Sequence, residues 1–163
     1  MKKLYISAFP KCERFPFWLL VRCSKSSNVS FKPIFYKGIA VGIIFMVKYD
    51  NINYVMYLAI KEELRGMGYG SKIVKDLISK GTVLLSIEKP DEVNTDSKIE
   101  RRNFYLRNGL YDTGYTYVDK GVEYSVLSSD KDFLVTNDVM KKRYTRMSNN
   151  FILRFLIKKL YCV

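Results

Sequence analysis

Between residues 29 and 60 the chain passes through three consecutive stretches rich in β-branched and aromatic residues, "VSFKPIFYKG", "IAVGIIFMVKYDN" and "INYVMYLAI", divided at Lys37-Gly38 and Asp50-Asn51. Short turns of this kind between such runs predict hairpins, and so an antiparallel meander. The hydrophobic period then changes. From Ser71 to Lys80 the apolar positions Ile73, Val74, Leu77 and Ile78 mark one face of a helix, with Gly81 as its C-cap. A buried strand "TVLLSIE" follows, then a polar loop and a helix around "DSKIERRNFYLRNGL" closed by Gly109. Two strands, "YDTGYTYVD" and "VEYSVLSS", flank the turn Lys120-Gly121. The resulting order β–β–β–α–β–α–β–β excludes a doubly wound parallel sheet and predicts an α+β fold with a mixed, mostly antiparallel sheet flanked by helices. Ahead of the meander, "FPKCERFPFWLLVRC" predicts one or two short helices between Phe9 and Lys25, with Pro10 and Pro16 opening turns and Phe17 and Trp18 in the core.

The chain is 163 residues long, enough for one domain with a self-sufficient core, and its 48% hydrophobic and 15% aromatic content excludes a disordered chain. Cys12, Cys23 and Cys162 are odd in number and fit neither a disulfide framework nor a metal-binding CxxC pair. The two lysines near the start precede an apolar stretch too short for a signal peptide, and no apolar run approaches the roughly 20 residues of a membrane span. The cytoplasm is the expected location. A surplus of 28 Lys+Arg over 16 Asp+Glu gives a formal charge of +12, which suits either a well-solvated surface or an anionic partner such as nucleic acid or lipid.

Three glycines alternate in Arg65-Gly66-Met67-Gly68-Tyr69-Gly70, between the third β-run and the first long helix. A glycine-rich turn that opens a helix lets the backbone close on an anion, with free amides and the helix dipole facing it. Gly70 is followed by Ser71 rather than by the Lys-Ser/Thr ending of a Walker loop, and the β-meander before it is the wrong context for a dinucleotide fingerprint. What remains is Arg-x-x-Gly-x-Gly, and here the chain resembles the GCN5-related N-acetyltransferases (GNAT). A second hallmark, "RRNFYLRNGL", resembles that family's FYxxxGF segment, with Tyr105 at the tyrosine position and Leu110 in place of phenylalanine. The opening "AFPKCERFPF" resembles the start of a bacterial branch of the family, so that the likeness spans about residues 4 to 129.

The resemblance implies an N-acetyltransferase that moves an acetyl group from acetyl-coenzyme A directly to a primary amine. It implies that Arg65, Gly66, Met67, Gly68, Tyr69, Gly70 and Ser71 cradle the pyrophosphate. Leu58, Ala59 and Ile60 would splay from the neighbouring strand and offer backbone groups to the pantetheine arm and thioester oxygen. Tyr105 becomes the general acid, because a phenol with an ordinary pKa near 10 can protonate a departing thiolate. The chain has no histidine, so the base must be a carboxylate or water. Glu88, at the end of "TVLLSIE", is the candidate, acting through a water; Ser86 stands where a second acid could share its face. Glu62 and Glu63 would repel a pyrophosphate and are set aside. Glu13 and Arg14, from the opening segment, are weaker candidates for acceptor contact. No metal is expected.

On this reading residues 1–130 form the acetyltransferase domain and residues 131–163 a basic helical extension. In that extension Lys141, Lys142, Arg143, Arg146, Arg154, Lys158 and Lys159 interleave with Phe151, Leu153, Phe155, Leu156 and Leu160. Such a tail packs on its own domain or on a second subunit, or lies on anionic lipid or nucleic acid. The expected partners are acetyl-coenzyme A and an amine acceptor, with a homodimer possible. The alternative reading is a catalytically weak GNAT-fold module that binds nucleic acid or another anion.

Overall fold

The computed structural model describes residues 1–90, 95–119 and 121–150 together with 153, 155 and 157. The meander forms as β1 (Val29–Tyr36), β2 (Ile39–Tyr49) and β3 (Ile52–Ile60). Both hairpin turns hold residues in the left-handed region, Lys37 at φ 48° with Gly38 at 78°, and Asp50 at 47° with Asn51 at 62°. Turns of that hand match the twist of paired strands, which is why Gly, Asn and Asp mark them. After a single 3₁₀ turn at Glu62–Leu64 come α3 (Tyr69–Ile78), β4 (Thr82–Glu88), α4 (Thr95–Arg107), β5 (Tyr111–Asp119) and β6 (Val122–Ser128). Helix α3 therefore begins two residues before the expected Ser71, with Gly68 at its N-cap.

The six strands form one sheet in the order β1-β2-β3-β4-β6-β5. Every pairing is antiparallel except that of β3 with β4, which α3 connects. The fold is thus α+β with a mixed sheet. Each face of the sheet carries its own core. On one, α3 and α4 cover Ile44, Met46, Val55, Leu85, Ile87 and Leu127. On the other, residues from both ends of the chain meet, including Tyr5, Phe15, Leu19, Leu20, Phe45, Tyr54, Tyr144, Met147 and Ile157.

The opening segment differs from expectation. A helix α1 (Lys2–Ala8) precedes Phe9, and its fully buried Tyr5 donates a hydrogen bond to the Phe15 carbonyl at 3.0 Å. Pro16 caps α2 (Phe17–Cys23) as expected, but Trp18 is 59% exposed because α2 turns Leu19, Leu20 and Cys23 inward. The chain past residue 130 forms α5 (Asn137–Thr145), capped by Thr136, whose hydroxyl accepts from the Val139 amide at 3.3 Å. Val135, Met140, Tyr144, Met147, Leu153 and Ile157 are all buried in the core shared with α1 and α2. Phe155 is 59% exposed, while Phe151 and Leu156 lie outside the described residues, as do Cys162 and the charges at Arg154, Lys158 and Lys159. No helix among the described residues is long and apolar enough to cross a membrane.

Candidate active site

The site begins with a broken pairing. Strands β3 and β4 are paired only from Ile52↔Thr82 to Val55↔Leu85. Beyond that point β3 stays on β2, through Ile60↔Gly42, while β4 stays on β6, through Glu88↔Tyr124. The cause is visible in the β2–β3 register, where Phe45 faces Tyr57 and Met46 faces Val55, so that Met56 is an inserted residue. A bulge of this kind bends the strand and raises its twist. It turns residues 56–60 away from β4 and leaves one edge of their backbone facing an open cleft of about 840 Å³. Leu58, Ala59 and Ile60 line it.

At one end of the cleft lies the glycine loop. Gly66 and Gly68 adopt φ 76° and 80°, a region where a side chain would be strained, and nothing lies within 4 Å of where either Cβ would stand. The N-terminus of α3 has no side-chain cap and no acid in its first turn, so its first amides are without an acceptor among the described residues. Such an end attracts an anion. Gly66, Gly68, Tyr69, Gly70, Ser71 and Arg65 all line the cleft. Met67 does not; it is 61% exposed and only its backbone belongs to the loop. Sequence reasoning missed Tyr36 and Lys72 beside this end. The Lys72 ammonium donates to the Tyr36 hydroxyl at 3.0 Å and lies 4.5 Å from its ring centroid, and Tyr36 packs edge-on against Tyr69 at 5.2 Å. This clasp ties β1 to the first turn of α3.

Tyr105 reaches the cleft from α4, with its ring 5.1 Å from that of Phe104. Burial raises its pKa above the ordinary phenol value, with Arg101 opposing the shift, so the hydroxyl keeps its proton.

Opposite, the sequence candidates Glu88 and Glu13 come together. Their side chains share a hydrogen bond. Glu88 also accepts an ion pair from Lys98 of α4 at 3.0 Å, with both side chains largely buried. The consequence is a split of two like groups. Burial first, and then the bond and charge of Glu88, push the Glu13 carboxyl up to about 8. The Glu13 hydrogen bond, with Lys98 and Arg101, holds Glu88 below the usual carboxylate range against burial. One proton is therefore shared, held by Glu13 over an ionised Glu88. The Glu13 backbone is fixed in turn, because its carbonyl accepts from the Tyr57 hydroxyl at 2.7 Å and the Phe15 amide donates to that same hydroxyl at 3.2 Å. The second acid that Ser86 lacks is thus supplied from the opening segment. Arg14 is not brought in; it does not line the cleft, and its guanidinium donates to the Ile6 carbonyl at 3.2 Å, bracing α1. Among the described residues no cluster of Cys, Asp and Glu is arranged to hold a metal ion.

No family sequence model matches the chain. Over 66 residues it is 35% identical to YjbC of Bacillus subtilis (strain 168), a protein provisionally described as an acetyltransferase. That stretch is 40% of this chain and 34% of the relative, so the chain spans about one third of the relative's length. Among solved structures, a protein of Bacteroides thetaiotaomicron provisionally assigned to the GNAT family of acetyltransferases superposes with a TM-score of 0.71. The match covers 100% of this chain and 90% of that one at 23% identity. An aminoglycoside 6'-N-acetyltransferase solved with coenzyme A gives a TM-score of 0.50 over 71% of this chain and 80% of its own, at 13% identity. The chain shares the GNAT acyltransferase fold.

Proposed function

We propose that this chain, which has the GNAT fold, is a working acetyltransferase that transfers an acetyl group from acetyl-coenzyme A to a primary amine. The observation that carries the reading is the parting of β3 from β4 beyond Val55↔Leu85, which opens a cleft between an uncapped helix end and a proton-sharing carboxyl pair. The residues present fit the coenzyme. Left-handed Gly66 and Gly68 and the first amides of α3 suit its pyrophosphate, with Arg65 alongside, its Nε donating to the Ile60 carbonyl at 3.4 Å. The edge at Leu58 and Ile60 that β4 no longer pairs suits an amide-bearing arm, while Ala59 faces β2. When bound, the coenzyme supplies an acetyl thioester.

Each remaining need of the reaction falls to a residue of the chain. The Glu88–Glu13 pair takes the proton of the incoming amine, directly or through a water, once its own shared proton has left. Backbone amides at the free edge of β3 stabilise the negative charge that develops on the acetyl oxygen as the carbon–nitrogen bond forms. Tyr105 gives its proton to the sulfur as the carbon–sulfur bond breaks, and its raised pKa ensures that it carries one. An aminoglycoside-modifying enzyme shares the fold, but fold alone does not assign the acceptor.

The test is calorimetric titration of the full chain with acetyl-coenzyme A, followed by thiol release with polyamines, aminoglycosides and peptides. Binding with amine-dependent thiol release is expected. Binding with no amine-dependent release would leave the non-catalytic module, and no binding would remove the coenzyme assignment.

A further inference from the structure

Arg143, on α5, is turned inward and only 4% exposed, yet among the described residues it has no carboxylate partner. Its neighbour Lys142, on the outer side of the same helix, pairs with Asp50 at 2.7 Å and Asp138 at 3.0 Å. The Arg143 guanidinium instead stands among tyrosine rings, 4.5 Å from the centroids of Tyr117 and Tyr144 and 5.4 Å from that of Tyr54. One nitrogen donates to the Tyr144 hydroxyl at 3.1 Å and another to the Met140 sulfur at 3.4 Å. The rest of its donor fork has no acceptor among the described residues. Arg143 and its three rings all line the cleft.

Burying an uncompensated charge is costly, and folded chains normally pair such a group or give it a ligand. Tyrosine faces attract a guanidinium, but with one hydrogen of each terminal nitrogen engaged they leave its Nε–H and the other terminal hydrogens for a planar oxyanion that can be held by two parallel bonds. The position is informative as well. Tyr54 and Ser86, joined by a 2.6 Å hydrogen bond, mark the point where β3 and β4 begin to part. Tyr117 stacks on Tyr124 at 5.3 Å, and Tyr124 is the strand partner of Glu88. The cation therefore lies on the same side of the cleft as the carboxyl pair, separated from it by two stacked rings.

We propose that Arg143 is an acceptor-binding residue that holds a carboxylate carried by the same molecule whose amine faces Glu13 and Glu88. The inference rests on the acetyl-transfer reading for the amine and adds the second pole of the acceptor. Two rings of separation are too far for the adjacent groups of an α-amino acid. They suit a reach of roughly two to three extended residues, at about 3.3–3.6 Å each, as in a short peptide or an ω-amino acid. The acceptor class is thus a zwitterionic amine with its charges well apart.

The experiment has a turnover arm and a binding arm. In the first, thiol release is followed with diglycine, triglycine and ω-amino acids of increasing length, each beside its uncharged amide. We expect kcat/KM to favour the acid over its amide by at least about tenfold, the loss typical of one charged hydrogen-bonding partner. Arg143→Gln should abolish that preference through KM while leaving acetyl-coenzyme A affinity unchanged. The second arm needs no transfer: N-acetyldiglycine and N-acetyltriglycine are titrated against their amides by calorimetry, so a chain that fails to transfer acetyl groups still reports on Arg143. Tighter binding of the acids, lost in Arg143→Gln, supports the proposal. Arg143→Met covers the case in which glutamine does not fold, because removing an unpaired buried charge should leave the melting temperature level or higher. Equal use and equal binding of acids and amides, or a preference that survives both substitutions, would overturn it.

Discussion

On the proposed reading the chemistry turns on two side chains, Tyr105 and Glu13, that a substitution can alter by a single atom. Tyr105→Phe keeps the ring packed against Phe104 and removes the proton, so coenzyme affinity should hold while turnover falls by about 10²–10⁴-fold, the usual range for a general acid. A loss under about threefold would make Tyr105 a packing residue. Glu13 gives a pH signature. Its carboxyl is pushed up to about 8, so below that pH the pair keeps its proton and cannot accept one from an amine. The kcat/KM profile should therefore climb with pH and level above about 8, and Glu13→Gln should remove that limb. The linked stability effect has the opposite slope. A carboxyl whose folded pKa is raised binds its proton more tightly when folded, so its contribution is full at low pH and is lost as pH rises from the ordinary carboxylate range to about 8. Glu88, held low, acts in a separate window, losing its contribution only as pH falls below that range. Thermal melts of the parent and of Glu13→Gln between pH 5 and 8 should show a decline in the first and a flatter line in the second. A parent curve that rises over that window would refute the shared-proton assignment.

Among the elements, the loop into α3 makes the clearest demand. Gly68→Asp places a carboxylate in the open space beside the amides and forces a residue into the left-handed region, at roughly 1–2 kcal/mol. Gly68→Asn carries the same strain and shape without the charge. Coenzyme affinity should therefore fall more in the aspartate variant, by at least about tenfold relative to asparagine, and equal affinities would contradict an anion at this helix end. The loop was legible from sequence because its glycines answer a local backbone need, as Lys37-Gly38 and Asp50-Asn51 do at the hairpins. Strands β3, β4 and β5 were equally plain, since their alternation or apolar runs are written in consecutive residues. Helix α1 was not, because its seven residues bury only Tyr5 and show no face of their own. The meeting of Glu13 with Glu88, and of Arg143 with Tyr54 and Tyr117, was beyond reach for another reason. Neither pair has any local pattern, and both depend on how distant segments pack across one face of the sheet.

For the molecule as a whole, the extension after residue 130 is part of a core rather than an appendage to it. Met140, Tyr144, Met147, Leu153 and Ile157 are buried there with Tyr5, Phe15 and Leu19, and the rings of Phe15 and Tyr144 lie 6.3 Å apart. Each such side chain contributes about 1.5–3 kcal/mol on burial, so together they rival the about 5–15 kcal/mol that holds a typical domain folded. Removing residues 137–163 should accordingly give a chain that melts far earlier or aggregates, with little dependence on salt. The exposed Lys142–Asp50 pair adds little to that total. A truncated chain that melts like the parent and loses only salt-sensitive binding to RNA or anionic vesicles would restore the surface-binding reading of the tail. The joining of residues 5–23 with residues 135–157 in one core also sets an order of assembly. As the chain leaves the ribosome, β1 to β6 with α3 and α4 can close one face of the sheet, while α1 and α2 wait for partners that are synthesised after them. Arg143 arrives with those partners, so the nascent chain is expected to acquire the proposed coenzyme cradle before the proposed acceptor pocket.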